Sequence, residues 1–440
     1  MSKVLIIKNK IKDFDKKIKV SGDKSLSIRW VLLASQATGV SKAYNLLMSE
    51  DVLAALDSIK KLGIKVKIHN NYCEIFGGGI NGFKYKKNLI IEARNSGTLG
   101  RLILGLLIKS PKKIKLIGDK SLSKRDFSRV TLPLERFGAK FYYKTKNKLP
   151  LSILGSQSVK GIKYLENKGS AQCKSSVMFA ALNASGTTSI KAKKSRNHSE
   201  LLFKYLKIPI KIKKNKKYDF IDVKQPKKIK AFNYQIPGDI SSSAFFMALT
   251  TLANNSKLLI KDVNINPSRT GVITILKKMG AKIILKNKRS YRGEKISNIF
   301  IKSANNLKAI NCPTELNISA IDEFLVIFLV AARAKGISYF KDLSELNQKE
   351  SPRLNWGSKI LNMMGIKTEL TKDSIKIYGQ PNLDMTKPII IKNYLKDHRI
   401  FMMSTIAALT FGGQWKIHDK DSINTSFPSF LKIINKINNK

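Results

Sequence analysis

A layered α/β (α+β) protein of six repeats is predicted by three observations. One amphipathic helix–turn–strand element is written six times, a more apolar helix is interleaved with it, and 43% of the 440 residues are hydrophobic, enough for a full core. The first element reads DVLAALDSIKKLGIKVKI, then VTLPLERFGAKFYY, HSELLFKYLKIPIKI, TGVITILKKMGAKIIL and RLNWGSKILNMMGIKTEL, and closes on FPSFLKIINKINNK. Its turn falls on Gly63, Gly138, Lys207, Gly280, Gly365 and Asn438, at intervals of 69 to 85 residues. Glycine, and after it asparagine, suits the left-handed residue that ends a helix before a strand.

The second element has a polar start, a helix apolar nearly all round, a turn and a β-branched strand. Its copies begin near Lys24, Asn95, Ser170, Asp239, Asp322 and Asp397. All-round apolarity predicts burial, whereas the Lys and Glu of the first element mark outer helices with a wet face. Each repeat then holds two strand–helix alternations. Pro237-Gly238 falls at a break after three repeats, so two three-repeat lobes fit the length. The early segment VLIIKNK precedes the first repeat and is free to pair in the second lobe. The basic run at 211–217 lies between strand-like pieces and reads as a solvated hairpin.

Several function classes fall away. The most apolar stretch, 324–334, is too short to cross a bilayer and reads as a buried helix. The N-terminus has neither the apolar core nor the cleavage site of a signal peptide and reads as a first strand. Cys73, Cys173 and Cys312 have the spacing of neither a disulfide framework nor a zinc site, and the four histidines are scattered. A reducing cytoplasm, no metal and no cofactor are expected. The formal charge of +52 suggests a polyanion binder, but the lysines run evenly through the chain alongside Ile and Asn. That pattern fits compositional drift better than a built nucleic-acid face.

Polar helix starts are natural anion sites, because the first N–H groups lack partners and the dipole is positive there. Ordinary capping explains any one of them. Cations beside them change the reading: Lys24 and Arg29, Arg101, Lys174 and Arg399 sit where the dipole and burial both oppose positive charge. Such residues call for an anionic partner. The loops 118–125, Ser195-Arg196 and 349–353 add further cations, with Asp322, Glu323 and Glu350 as acids among them. Asp322 is expected to open a buried helix, where its charge suits the dipole.

These residues resemble the 5-enolpyruvylshikimate-3-phosphate synthases. The resemblance is carried in order by Gly22-Asp23-Lys24-Ser25 with Arg29, Leu47-Met48-Ser49-Glu50-Asp51-Val52, Asn95-Ser96-Gly97-Thr98, Gly169-Ser170-Ala171-Gln172 with Lys174, and Asn266-Pro267-Ser268-Arg269-Thr270-Gly271. It continues in Ile321-Asp322-Glu323, Lys349-Glu350-Ser351 with Arg353-Leu354, Asp397-His398-Arg399-Ile400 and Thr425-Ser426-Phe427-Pro428. Ser170-Ala171-Gln172 and Arg196-Asn197-His198-Ser199-Glu200 resemble the type II branch. Departures are Ser21 for the usual Pro, Asn347-Gln348 for Arg-Val, Pro352 for Asp, and Thr425 where some members carry Lys.

The resemblance implies two lobes, each of three βαβαββ units in an inside-out α/β barrel, with buried helix N-termini facing an interdomain cleft. One lobe would be 21–237, the other 1–20 with 238–440. It implies transfer of the enolpyruvyl group of phosphoenolpyruvate to the 5-hydroxyl of shikimate 3-phosphate, through a tetrahedral adduct, by a monomeric enzyme whose partners are those two small anions. Lys24, Ser25, Arg29, Ser170, Ala171, Gln172, Arg196, Asp322 and Lys349 would hold shikimate 3-phosphate. Lys24, Gly97, Arg125, Gln172, Arg353 and Arg399 would hold phosphoenolpyruvate. Asp322 would take the hydroxyl proton and Glu350 would protonate the methylene carbon, with Lys24 between the substrates. The sister transferase acting on UDP-N-acetylglucosamine normally carries Cys in the reactive loop, absent from 118–125, and Asn where Ser25 stands.

The even spread of lysine makes nucleic-acid binding weak, non-specific and salt-sensitive. Retention on DNA-cellulose should be lost by physiological salt, and a sequence-preferring complex that survives there would refute this.

Overall fold

The computed structural model describes residues 3–439. The chain divides into two compact units: one takes the chain up to Ser21, Pro237–Ser290 and everything from Lys295, and the other takes Gly22–Ile236 and Tyr291–Glu294. Both are mixed α/β, as the periodicity predicted.

The unit built on Gly22–Ile236 has three four-stranded sheets of one pattern. Leu89–Glu92 runs parallel to Ile114–Ile117, which is antiparallel to Leu151–Leu154, itself antiparallel to Lys140–Tyr143. Lys163–Glu166, Thr187–Lys193, Tyr218–Lys224 and Ile210–Lys214 repeat it. The latter two strands form the hairpin expected at the basic run. The third sheet joins Thr38–Tyr44, Tyr72–Gly78 and Lys65–Ile68 to a parallel strand, Asn233–Gln235, from the far end of the unit. A strand from one end of the segment thus completes a repeat begun at the other.

The other unit closes its repeats in the same permuted way. Asp15–Lys19 pairs parallel with Lys257–Asn264, beside the hairpin of Glu294–Lys302 and Lys282–Tyr291. Leu5–Ile7 pairs antiparallel with Gly412–Ile417, which is parallel to Met385–Ile391. The early segment therefore belongs with the C-terminal repeats. The remaining sheet orders Gly336–Phe340, Ile375–Gly379 and Thr368–Leu370.

Six helices are buried along most of their length: Lys24–Ser35, Gly97–Leu106, Ala171–Ala181, Ile240–Leu252, Phe324–Arg333 and His398–Phe411. The outer helices between them are amphipathic, such as Glu50–Lys61 and Gly271–Lys278. Gly63, Gly138, Gly280 and Gly365 take φ of 88°, 96°, 95° and 83°, and Lys207 takes the same left-handed region at 55°. The sixth position departs from expectation. Asn438 is the last residue of the Phe430–Asn438 helix and, among the described residues, is not one that takes the left-handed turn. No described helix is long and apolar enough to cross a membrane.

One close approach positions candidate site residues. Gly105, on the Gly97–Leu106 helix, faces the Ala171–Ala181 helix so closely that a Cβ would stand 2.2 Å from the Ser176 carbonyl oxygen. Ser176 Oγ donates to the Arg101 carbonyl at 2.8 Å across the same seam. Backbone cannot yield as a side chain can, so Gly105→Ala should lower stability by about 2 kcal/mol. A denaturant midpoint equal to the parent's would show that the helices separate freely.

Candidate active site

In the Gly22–Ile236 unit, Lys24 opens its helix behind Asp23, whose carboxylate caps it by accepting from Leu26 N at 2.9 Å. A lysine here runs against the helix dipole. Its partner is supplied by the protein: Lys24 Nζ lies 2.9 Å from Asp51 Oδ2, at the start of the Glu50–Lys61 helix. One turn on, Arg29 is 3% exposed. Its Nε donates to Ser199 Oγ at 2.8 Å, Nη2 to Ser175 Oγ at 3.1 Å and Nη1 to the Ser25 carbonyl at 3.0 Å. Those hydroxyls fix the guanidinium plane. Ser199 sits on the helix that follows Arg196, and its neighbour His198 lies 2.7 Å from Glu294 with both side chains fully buried.

A second group gathers at the paired helix starts. Ser96 and Ser170 cap them, accepting from Leu99 N and Cys173 N, each at 3.3 Å. Arg101 Nη1 donates to Gln172 Oε1 at 2.7 Å, and Gln172 Nε2 donates to Thr98 Oγ1 at 3.0 Å. Arg125 Nη2 donates to Asn95 Oδ1 at 3.2 Å. Gly97 lies between both arginines: a Cβ there would meet Arg101 Nη1 at 2.9 Å and Arg125 Nη1 at 3.1 Å. Burial, then the positive neighbours Arg125 and Arg129, pull the Arg101 guanidinium below its ordinary pKa although Cys173 works the other way. An arriving anion would relieve that tension. Ala171 is the first residue of its helix, with its backbone N–H among those left without an intrahelical acceptor. Lys174 reaches Glu200 at 2.6 Å in the interior, an internal ion pair.

In the other unit Asp322, Lys349, Glu350, Arg353 and Arg399 form one cluster. Asp322 Oδ1 is 3.3 Å from Lys349 Nζ and 3.6 Å from Arg353 Nη1, and its Oδ2 is 4.0 Å from Arg399 Nη2. Arg399 Nη1 also donates to the Asp322 carbonyl. Glu350 pairs with Arg353 Nη2. The expectation that Asp322 opens the buried helix is corrected: that helix runs Phe324–Arg333, the capping position belongs to Glu323, and Asp322 stands in the turn before it. Three cations lie within 4.0 Å of its carboxylate. Pro352 takes the capping position of Arg353–Met363, so the helix begins cleanly after it.

Asp397 organises this cluster. It caps His398–Phe411 by accepting from Arg399 N at 3.0 Å, accepts from Ser351 Oγ at 2.9 Å, and takes a two-point fork from Arg353, Nε at 2.8 Å and Nη2 at 3.2 Å. Burial alone would raise its pKa, but Arg353 and His398 more than offset that and hold it below the usual 3.8. Burial likewise opposes the Arg353 charge, and Asp397, Glu350 and Asp322 drive its pKa well above the ordinary arginine value. The sequence motifs contain Asp51, Asp397, Arg269 and Glu323 without marking which group each one holds, and Ser241 stands in a helix start outside them. Their signal was a polar or acidic residue beside a buried cation. Thr425 Oγ1 lies 3.3 Å from His398 Nδ1. Among the described residues, no group of three or more His, Cys, Asp or Glu is arranged to hold a metal ion.

The sequence profile described as EPSP synthase (3-phosphoshikimate 1-carboxyvinyltransferase) matches residues 8–434. The chain belongs to the EPSP synthase family. The 3-phosphoshikimate 1-carboxyvinyltransferase of Ruthia magnifica subsp. Calyptogena magnifica is 41% identical over 96% of this chain and 94% of the relative. That of Bacillus subtilis strain 168 is 34% identical over 98% and 99%. The EPSP synthase structure from Acinetobacter baumannii superposes with a TM-score of 0.86 at 34% identity, covering 99% of this chain and 98% of that one. The enolpyruvyl transferase NikO from Streptomyces tendae shares the fold, with a TM-score of 0.78 at 12% identity.

Asp397→Asn keeps the cap and removes the charge, leaving the Arg353 guanidinium short of an anion. It should cost about 3 kcal/mol at neutral pH. Because the folded pKa lies below the unfolded one, this stabilisation is complete above pH 3.8 and is lost as pH falls through the folded value. The stability gap between parent and variant, followed by urea unfolding, should be flat from pH 8 to about 5 and shrink only in stronger acid. A gap that closes near neutrality would contradict the assignment.

Proposed function

We infer that the chain transfers the carboxyvinyl group of phosphoenolpyruvate to the 5-hydroxyl of shikimate 3-phosphate and releases phosphate, the activity of the EPSP synthase family. The observation that carries the mechanism is Asp322, ringed by Lys349, Arg353 and Arg399 at 3.3, 3.6 and 4.0 Å. Cations on that scale keep a carboxylate ionised and able to accept a proton.

In this reading the phosphate of shikimate 3-phosphate meets Lys24, Ser25, Arg29, Ser170, Ala171, Gln172 and Arg196, while Asp322 and Lys349 address its ring hydroxyls. The phosphoenolpyruvate anion meets Lys24, Gly97, Arg125, Gln172, Arg353 and Arg399. Asp322 accepts the 5-hydroxyl proton as that oxygen bonds to C2 of phosphoenolpyruvate. Glu350 delivers a proton to C3, and the tetrahedral adduct then loses a methyl proton and the phosphate, restoring the double bond.

Charge exchange follows from the ion pairs. Lys24 is engaged by Asp51 and Arg353 by Glu350, so each substrate anion must compete with a protein carboxylate. A carboxylate of phosphoenolpyruvate that takes over Arg353 weakens its hold on Glu350, and a carboxylate released from its cation gains affinity for a proton. Binding thereby prepares the acid. The reading carries with it a cytoplasmic location, which suits three buried free thiols, and a monomer that needs neither metal nor cofactor.

Phosphate should appear only when both substrates are supplied; equal activity with UDP-N-acetylglucosamine in place of shikimate 3-phosphate would sink the reading. Asp322→Asn should keep shikimate 3-phosphate affinity and lower kcat by roughly two to four orders of magnitude. Glu350→Gln should slow exchange of the phosphoenolpyruvate methylene hydrogens with solvent. Near-normal turnover in both variants would overturn the acid and base assignments.

A further inference from the structure

The Asp322 cluster has a hidden side. Glu323, next in sequence, is 2% exposed as a residue with its side chain fully covered, and the proposed reaction gives it no task. Its Oε1 faces Arg399 Nη1 at 3.8 Å on one side and accepts from Ser241 Oγ on the other. Ser241 Oγ in turn accepts from Arg269 Nη2 at 2.7 Å, and Arg269 is itself 2% exposed. Arg269 Nη2 also lies 3.5 Å from Asp239 Oδ1, the carboxylate that caps Ile240–Leu252 through Ser241 N at 2.7 Å. Two buried arginines are therefore linked through one hydroxyl and one carboxylate.

The geometry points to Ser241, Arg269 and Glu323 as a positioning relay that sets the Arg399 guanidinium for the carboxylate or phosphate of phosphoenolpyruvate. Arg399 rises from the start of His398–Phe411 on a long, flexible side chain, and a guanidinium recognises an oxyanion only when its plane is aimed. Asp322 takes one side of it, at Nη2 and through its backbone carbonyl at Nη1. Glu323 takes Nη1 as well, so consecutive residues of one turn grip the same fork. That grip is as rigid as the turn, and Ser241, held on a capped buried helix, fixes the Glu323 carboxylate. Arg269 keeps the serine hydroxyl pointed at Glu323, because a hydroxyl that accepts from a guanidinium turns its own proton outward.

The relay also accounts for the cost of burying Glu323. A carboxylate with no surface is expensive without a cation and a hydrogen bond, and Arg399 and Ser241 supply these. Were Glu323 only a counter-charge, the serine and the second arginine behind it would have no bearing on substrate. As a positioning relay, they tune the binding of one substrate and leave the other alone.

This inference rests on the reading that Arg399 binds phosphoenolpyruvate, so Arg399→Gln is measured beside Glu323→Gln, Ser241→Ala and Arg269→Lys in the full chain. Steady-state KM for each substrate and kcat are read, with thermal midpoints and direct shikimate 3-phosphate binding as controls. Glu323→Gln and Ser241→Ala should each raise KM for phosphoenolpyruvate about tenfold, the scale of one hydrogen bond to a charged group. Shikimate 3-phosphate affinity should hold within about twofold, on the same scale. Ser241→Thr, which keeps the hydroxyl, should restore most of the loss. An unchanged KM in Glu323→Gln and Ser241→Ala beside a raised one in Arg399→Gln overturns the relay alone. An unchanged KM in Arg399→Gln overturns the underlying reading and the relay with it. Equal weakening of both substrates with a large fall in midpoint marks a purely structural role and also overturns it. Should Glu323→Gln fail to fold, the Ser241→Ala and Ser241→Thr pair decides.

Discussion

Asp397 and Arg353 are both nearly without exposed surface, and each is the other's main charge partner there. Their two-point fork ties the start of the His398–Phe411 helix to the start of Arg353–Met363. Ser351, one residue after Glu350, hangs on the same carboxylate, and Arg399 takes its backbone direction from it. Glu350, Arg353 and Arg399 are thus three branches of one buried ion pair. Asp322 and Lys349 attach at its edge, where both are partly exposed.

The Gly22–Ile236 unit meets the same constraint with different chemistry. Arg29 is surrounded by hydroxyls and a carbonyl, and Arg101 by an amide and a carbonyl. Hydroxyl, amide and carbonyl oxygens satisfy the hydrogen bonds of a guanidinium and fix its plane. Burial and the neighbouring Arg125 and Arg129 lower the Arg101 pKa, and an anion beside it would act in the opposite direction. Lys24 differs, because Asp51 compensates it directly. A lysine with an internal carboxylate partner beside guanidiniums held in fixed planes suits the proposed site for phosphates and carboxylates. The overall charge of +52 adds a diffuse attraction for such ligands without fixing where they dock.

Much of the fold was legible in the chain. Six apolar helices alternating with six amphipathic ones revealed the repeats, since a 3.6-residue period reports directly which face meets the core. Glycine at 63, 138, 280 and 365 announced left-handed turns because other residues are strained there. Lys207 holds the same conformation without glycine's advantage, so its position was visible only from the repeat. The sixth turn was misjudged at Asn438, which closes the Phe430–Asn438 helix, while Leu5–Ile7 from the other end of the chain joins Gly412–Ile417 in that last sheet.

The amino-acid sequence by itself determined the α/β layering, the number of repeats, and the cations and acids grouped at helix starts and loops, because each depends on local periodicity or on short motifs. Tertiary structure alone decided which charge neutralises which. Asp51 reaches Lys24 from another helix, Asp397 reaches Arg353 across 44 residues, and Ser241 reaches Glu323 across 82. It also decided that Asp322 stands before the buried helix with three cations around its carboxylate. Electrostatic partnership depends on distance in space and on the water excluded between groups, and neither is written in the spacing of residues along a chain.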